Sequence, residues 1–146
     1  MDLAQFNASV HPSLSSPVSR ADAMEAIYAT GYWLLADERV AEAAMVFRTM
    51  IQGEPRDERG WLGLGECHER IDQPRIAAQL YGAASVIVTR SMRCLVARAR
   101  VLSKLGEVRE AEYLLDLVEQ SPETRDEPEL AELVASERAI ARSRAR

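Results

Sequence analysis

Three sets of positions recur at an interval of 34 residues: Ala43, Ala77 and Ala111; Phe47, Tyr81 and Leu115; Gly31, Gly65 and Ala99. A unit this short cannot bury its own apolar face, so units that repeat at this interval must stack on one another. In each unit a small residue falls near the middle of a first helix. A second helix then carries alanine followed, one turn later, by a large apolar residue. The middle unit is the clearest, reading Trp61-x-x-Leu64-Gly65 and then Ala77-x-x-x-Tyr81-x-x-Ala84. The interval therefore predicts an all-α solenoid of helix pairs, a scaffold that holds partners and has no built-in chemistry.

These spacings are the tetratricopeptide signature. A chain of 146 residues fits one domain, divided into a flexible N-terminal arm over 1–19, three repeats over 20–121, and a C-terminal capping helix with a basic tail over 122–146. The arm contains Pro12 and Pro17, five serines and no sustained period. Ser19 is placed to cap the first helix, with Asp22 in its opening turn. A break at Asp37-Glu38-Arg39 separates that helix from the next, which stops before Pro55 because a residue preceding proline avoids the α region. The middle pair spans about Glu58 to Arg70 and opens its second helix at Pro74, where a missing N–H does no harm. Gly106 suits a left-handed cap in the third unit. Beyond Ser121-Pro122, Leu130, Leu133, Val134 and Ile140 describe an amphipathic last helix covering the third repeat.

The net charge of −5 offers no basic footprint for nucleic acid. The longest apolar run, Leu80 to Val88, is about half of a membrane span, and no secretory leader is visible at Met1-Asp2. Cys67 and Cys94 imply no disulfide framework, and a reduced, cytoplasmic protein is the simple expectation. Cys67-His68 resembles a pair of metal ligands, but zinc needs three or four converging groups. The other candidates are Cys94 and His11 in the arm, so a packed histidine is expected and no metal. The chain contains no GxSxG, GxxxxGK, HExxH or CxxC. Neither catalysis nor a cofactor is expected.

Function then lies in the concave side, which the first helix of each pair lines. The positions expected to face it are Tyr28, Tyr32 and Leu35 in the first unit, Arg59, Leu62, Glu66 and Glu69 in the second, and Arg93, Val96 and Arg100 in the third. Tyr28, Tyr32 and Leu35 form one stripe at helical spacing, beside a packing stripe of Ile27, Gly31 and Leu34, with Trp33 expected to bury on the opposite flank. A second apolar stripe suits an extended peptide. The tyrosine hydroxyls with Glu66, Glu69 or Arg93 are expected to fix its direction. A clamp for a terminal carboxylate would need Lys, Arg and Asn in the groove, and only Arg93 fits.

Three stretches resemble one family, the class II chaperones of bacterial type III secretion. They are Arg59-Gly60-Trp61-Leu62-Gly63-Leu64-Gly65-Glu66-Cys67, Leu80-Tyr81-Gly82-Ala83, and Gly106-Glu107-Val108-Arg109-Glu110-Ala111-Glu112. The resemblance covers about Glu25 to Glu119. It implies a non-enzymatic cytoplasmic chaperone that keeps hydrophobic translocators unassembled and ready for export. It also implies a Pro-x-Leu-x-x-Pro segment of the translocator in the groove, against Tyr28, Tyr32, Leu35 and Leu62. Homodimerisation in the family uses a Gly-containing N-terminal helix that 1–19 lack, and Val88-Thr89-Arg90-Ser91-Met92 departs from the family's usual loop. The alternative is a scaffold joining two folded proteins. A chaperone engages a linear segment of an unfolded client, whereas a scaffold engages folded surfaces.

Overall fold

The structure is a computed structural model and describes residues 18–146; the arm expected over 1–19 falls almost wholly outside them. Eight helices follow one another among the described residues: α1 (Arg20–Ala36), α2 (Val40–Gly53), α3 (Glu58–Arg70), α4 (Pro74–Ile87), α5 (Met92–Lys104), α6 (Val108–Glu119), α7 (Pro122–Asp126) and α8 (Pro128–Arg144). The first six form three antiparallel pairs, each first helix packing on the second helix of the preceding pair. This is the tetratricopeptide solenoid that the 34-residue interval predicts. Among the described residues no helix is long and apolar enough to cross a membrane.

Several starts and stops have a local cause. The Ser19 side chain accepts the Asp22 N–H at 3.1 Å, and Asp57 caps α3 by accepting the Arg59 N–H at 3.0 Å. Pro74 stands at the start of α4. Within each pair the turn is the same, with a left-handed residue at Glu38 (φ 58°), Asp72 (φ 58°) and Gly106 (φ 83°). The following N–H then reaches back to the helix: Arg39 to the Leu34 carbonyl at 2.9 Å, Gln73 to His68 at 2.8 Å, and Glu107 to Leu102 at 2.9 Å. That backbone closure is the Schellman motif, used three times at one repeat position.

The core runs along the stack as linked clusters. Leu34, Leu35, Ala43, Phe47, Leu64 and Cys67 fill the first interface. Ala77, Tyr81, Val96, Ala99, Leu114, Leu115, Leu130 and Val134 fill the second and third. The repeated glycines let the helices approach. A Cβ on Gly63 would lie 2.3 Å from the Phe47 ring, and one on Gly65 would lie 2.2 Å from the Tyr81 ring.

α7 turns the chain between the third pair and α8. Ser121 caps it, and Thr124, buried, donates its hydroxyl to the Val118 carbonyl. Leu130 and Val134 then seat α8 on the third pair, 1% and 2% exposed. Arg138 ties it to α6, donating to Asp116 and, at 2.9 Å, to Glu119.

Candidate functional groove

The side lined by α1, α3 and α5 carries two connected features, an aromatic shelf and a cavity. On the shelf Tyr28 and Tyr32 meet edge to face at 4.8 Å, and Tyr32 leans on the buried Phe47 at 5.7 Å. One turn of α1 separates the two tyrosines, so they share a face. Arg59 of α3 lies over the Tyr28 ring at 4.6 Å and donates to Glu25 at 2.7 Å and Asp57 at 2.8 Å. A cation over a ring face, itself held by two carboxylates, fixes the shelf's outer edge. Tyr32 remains 39% exposed. Burial of its other face, then the neighbouring Tyr28 and Glu66, push its hydroxyl up to about 12, so it stays a neutral donor at physiological pH.

The cavity, about 230 Å³, is lined by Tyr32, Leu62, Glu66, Tyr81, Arg93, Ala97, Arg100 and Leu133. It gathers five of the ten residues expected to face a partner, while Tyr28 and Arg59 form the adjoining shelf. Its charged walls are already paired. Glu66 accepts from Arg70 at 2.9 Å, and Arg70 also donates to the Leu35 carbonyl at 3.0 Å. Arg93 bonds Glu127 at 3.1 Å. Arg100 donates to Glu69 at 2.6 Å. The half-buried Leu62 and Leu133 leave alkyl surface as its uncommitted lining, beside the buried Ala97.

Three expected groove residues take other roles. Leu35 is 1% exposed and belongs to the first core cluster, because α3 lies across the last turn of α1 and covers it. Val96 is fully buried, because α8 closes over that end of the stack with Leu130 and Val134. Glu69 sits beneath the cavity with its side chain 12% exposed. It accepts the Tyr81 hydroxyl at 2.8 Å, Arg100 at 2.6 Å and Lys104 at 3.3 Å. Burial raises its carboxyl, and the Arg100 and Tyr81 bonds with the Lys104 charge outweigh that, holding it below the usual carboxylate range. Glu69 thus braces α3, α4 and α5. Trp33, expected to bury, is 60% exposed with the Arg39 guanidinium 5.6 Å from its ring, and Ile27 is only half-buried.

Sequence reasoning assigned Tyr81 and Leu133 to packing and passed over Ala97. Leu133 could have been found by extending the interval once more, since it lies 34 residues beyond Ala99. The same step links Glu25, Arg59, Arg93 and Glu127, which pair across neighbouring units at 2.7 Å and 3.1 Å. α8 therefore continues the register of the first helices.

The cysteines and histidine offer no chemistry here. Burial pushes both the Cys67 and the Cys94 thiol up to about 11, so they stay protonated and weakly nucleophilic. His68 Nδ1 is 2.7 Å from Gln73 Oε1. Among the described residues no group of three or more His, Cys, Asp or Glu converges as a metal site would require.

No family profile matches the chain. The low calcium response locus protein H of Yersinia pseudotuberculosis serotype I (strain IP32953) is 28% identical over 112 residues, which are 77% of this chain and 66% of that protein. The chain thus spans just under two thirds of that relative. The type III secretion translocator chaperone SycD of Yersinia enterocolitica superposes with a TM-score of 0.75 at 24% identity, over 98% of both chains. SycD solved in complex with a peptide of the translocator YopD superposes with a TM-score of 0.67 at 25% identity, over 92% of this chain and 99% of that one. In sequence the chain is similar to a low calcium response locus protein, and in fold to translocator chaperones of type III secretion.

Proposed function

We propose, from this kinship, that the chain is a cytoplasmic, non-enzymatic chaperone of type III secretion. It holds a hydrophobic translocator before export by binding an extended segment of it in the groove. The observation that carries the reading is the pairing of the shelf and the cavity: exposed Tyr32 beside an alkyl-lined hollow whose charged neighbours are all satisfied within the chain. Such a surface rewards an apolar side chain and gives little to a charged one, since a charge placed there would lose water without gaining a free partner. Its length along the first helices suits a strand-like segment. A relative solved with a translocator peptide supports the same occupant.

The residues that meet the client are Tyr28, Tyr32, Leu62 and Leu133. Arg59, Glu66, Arg93 and Arg100 act as walls that keep the helices in place, with their ion pairs intact. Binding is driven by burial of the client's apolar groups, and the Tyr32 hydroxyl supplies a neutral hydrogen bond to its backbone.

The test is the anisotropy of a fluorescein-labelled Pro-x-Leu-x-x-Pro peptide taken from a candidate translocator. Saturable binding is expected for the intact chain. Tyr32→Ala is expected to weaken it by about 30-fold, the loss of about 2 kcal/mol typical of a buried aromatic anchor. Binding that survives Tyr32→Ala unchanged would remove the groove from the reading. A chain that captured only the folded partner, and none of its peptides, would instead be the scaffold.

A further inference from the structure

Leu133 occupies an unusual place in the repeat. At the matching position of the complete units stand Gly31, Gly65 and Ala99. There the residue must be small, because a Cβ on Gly31 or Gly65 would run into the aromatic ring of the pair's second helix, at 2.7 Å and 2.2 Å. α8 keeps the 34-residue register but carries a leucine at this point. Its side chain lines the groove cavity, facing the space bounded by Leu62 of α3 and Ala97 of α5.

The position is held firmly. Leu130 and Val134, one turn apart on the same helix, are 1% and 2% exposed in the core, which fixes the rotation of α8. Glu127 at its start bonds Arg93 of α5 at 3.1 Å, and Arg138 further along bonds Glu119 at 2.9 Å. Leu133 itself packs against the core while remaining only partly buried. It is therefore a fixed stop at one end of the hollow. The α5 side of the cavity dips only at Ala97, between Arg93 and Arg100, whereas α8 presents Leu133.

We infer that Leu133 helps to set which client side chain the groove accepts, favouring a medium aliphatic residue over an aromatic one where α8 borders the cavity. This rests on the groove being the client site. The occupant is an uncharged aliphatic side chain of an extended client segment. Its alkyl lining comes from three helices, and each charged group at the rim is paired: Glu66 with Arg70, Arg93 with Glu127, Arg100 with Glu69. An acidic or basic client residue would find no free counter-charge there.

The experiment measures affinities of three fluorescein-labelled Pro-x-Leu-x-x-Pro peptides, with the leucine retained or replaced by alanine or phenylalanine. The proteins are the intact chain, Leu133→Ala, Leu133→Phe and Leu133→Met. The intact chain is expected to prefer the leucine peptide. Leu133→Ala is expected to raise the phenylalanine peptide relative to the leucine peptide by about tenfold, the scale of discrimination by a few methylenes in an apolar pocket. Leu133→Phe is expected to weaken the leucine peptide by about tenfold and to spare the alanine peptide. Leu133→Met conserves volume and should leave the ranking as it is. Because Leu133→Ala and Leu133→Phe shift the ranking in opposite directions, loss of stability in either one cannot mimic the pattern. Binding by the intact chain with the same ranking in every variant overturns the role of Leu133 and leaves the groove standing. No binding of any peptide by the intact chain overturns the groove reading and this inference together.

Discussion

Gly65 shows how one missing methyl group sets the spacing of a solenoid. The Tyr81 ring lies across the gap that its Cβ would fill, at 2.2 Å. The ring cannot swing away, since it is 1% exposed and its hydroxyl is bonded to Glu69 at 2.8 Å. Two effects compete in Gly65→Ala. Alanine gains about 1 kcal/mol of helix propensity, whereas overpacking against a fixed ring costs about 1–3 kcal/mol. Overpacking should win, and the urea midpoint is expected to fall by the equivalent of up to about 2 kcal/mol. Gly82 is the contrasting case. Its nearest neighbour is the far end of the long Arg98 side chain at 3.0 Å, which is bonded to Glu110 at 3.0 Å and needs to shift by only a few tenths of an ångström. Gly82→Ala should therefore leave the midpoint unchanged or raise it, and equal losses at both glycines would refute the packing account. The glycine-aromatic pairing was legible in the sequence, because small and large residues recur together at the same interval. The burial of Leu35 was not. Helical spacing places Tyr28, Tyr32 and Leu35 on one stripe, but which of them is covered depends on where α3 crosses α1.

At the scale of the element, the turns within the three helix pairs share one geometry but not one residue. Glu38, Asp72 and Gly106 stand at the same repeat position, and all are left-handed. Only the glycine announces this in the sequence, since a glutamate carries no signal for positive φ. The backbone bonds of the Schellman closure form in all three turns, so the fold imposes the conformation and a non-glycine residue bears its cost. A left-handed L-residue costs about 1–2 kcal/mol, partly offset by the greater chain entropy of glycine in the unfolded state. Glu38→Gly is thus expected to stabilise the chain by about 0.5–1 kcal/mol. Thermal unfolding followed by circular dichroism reads this directly, and a lower midpoint in the variant would show that the turn holds no strain. α8 was similarly only half legible. Its amphipathic pattern gave a helix, but the lack of Ala-x-x-x-aromatic after it hid the continuing register. Val96 was therefore read as open when α8 covers it.

For the whole molecule, stability in a stack depends on coupling between neighbours, and Glu69 is where three helices are coupled. It accepts from Tyr81 of α4 and from Arg100 and Lys104 of α5 while standing on α3. Its carboxyl is held below the usual range, so the folded state favours the ionised form. That stability is fully present above the ordinary carboxylate value and is lost as pH falls through the lowered one. Glu137 on α8 works in the opposite sense. Burial raises its carboxyl, and Arg100, Arg144 and Lys104 offset this only in part. Its folded form holds the proton more tightly, so its contribution declines as pH rises from the ordinary value through the raised one. Replacing each by glutamine separates the two. Glu69→Gln removes charge-assisted bonds to two cations and should cost about 2–3 kcal/mol at neutral pH, with a shallower loss of stability on the acid side. Glu137→Gln should leave neutral stability unchanged or slightly raised. The measurement is the urea midpoint of each protein across the acid to neutral range. A Glu69→Gln profile running parallel to that of the intact chain at every pH would mean that its proton is not linked to folding. The coupling of the three helices would then rest on apolar packing alone.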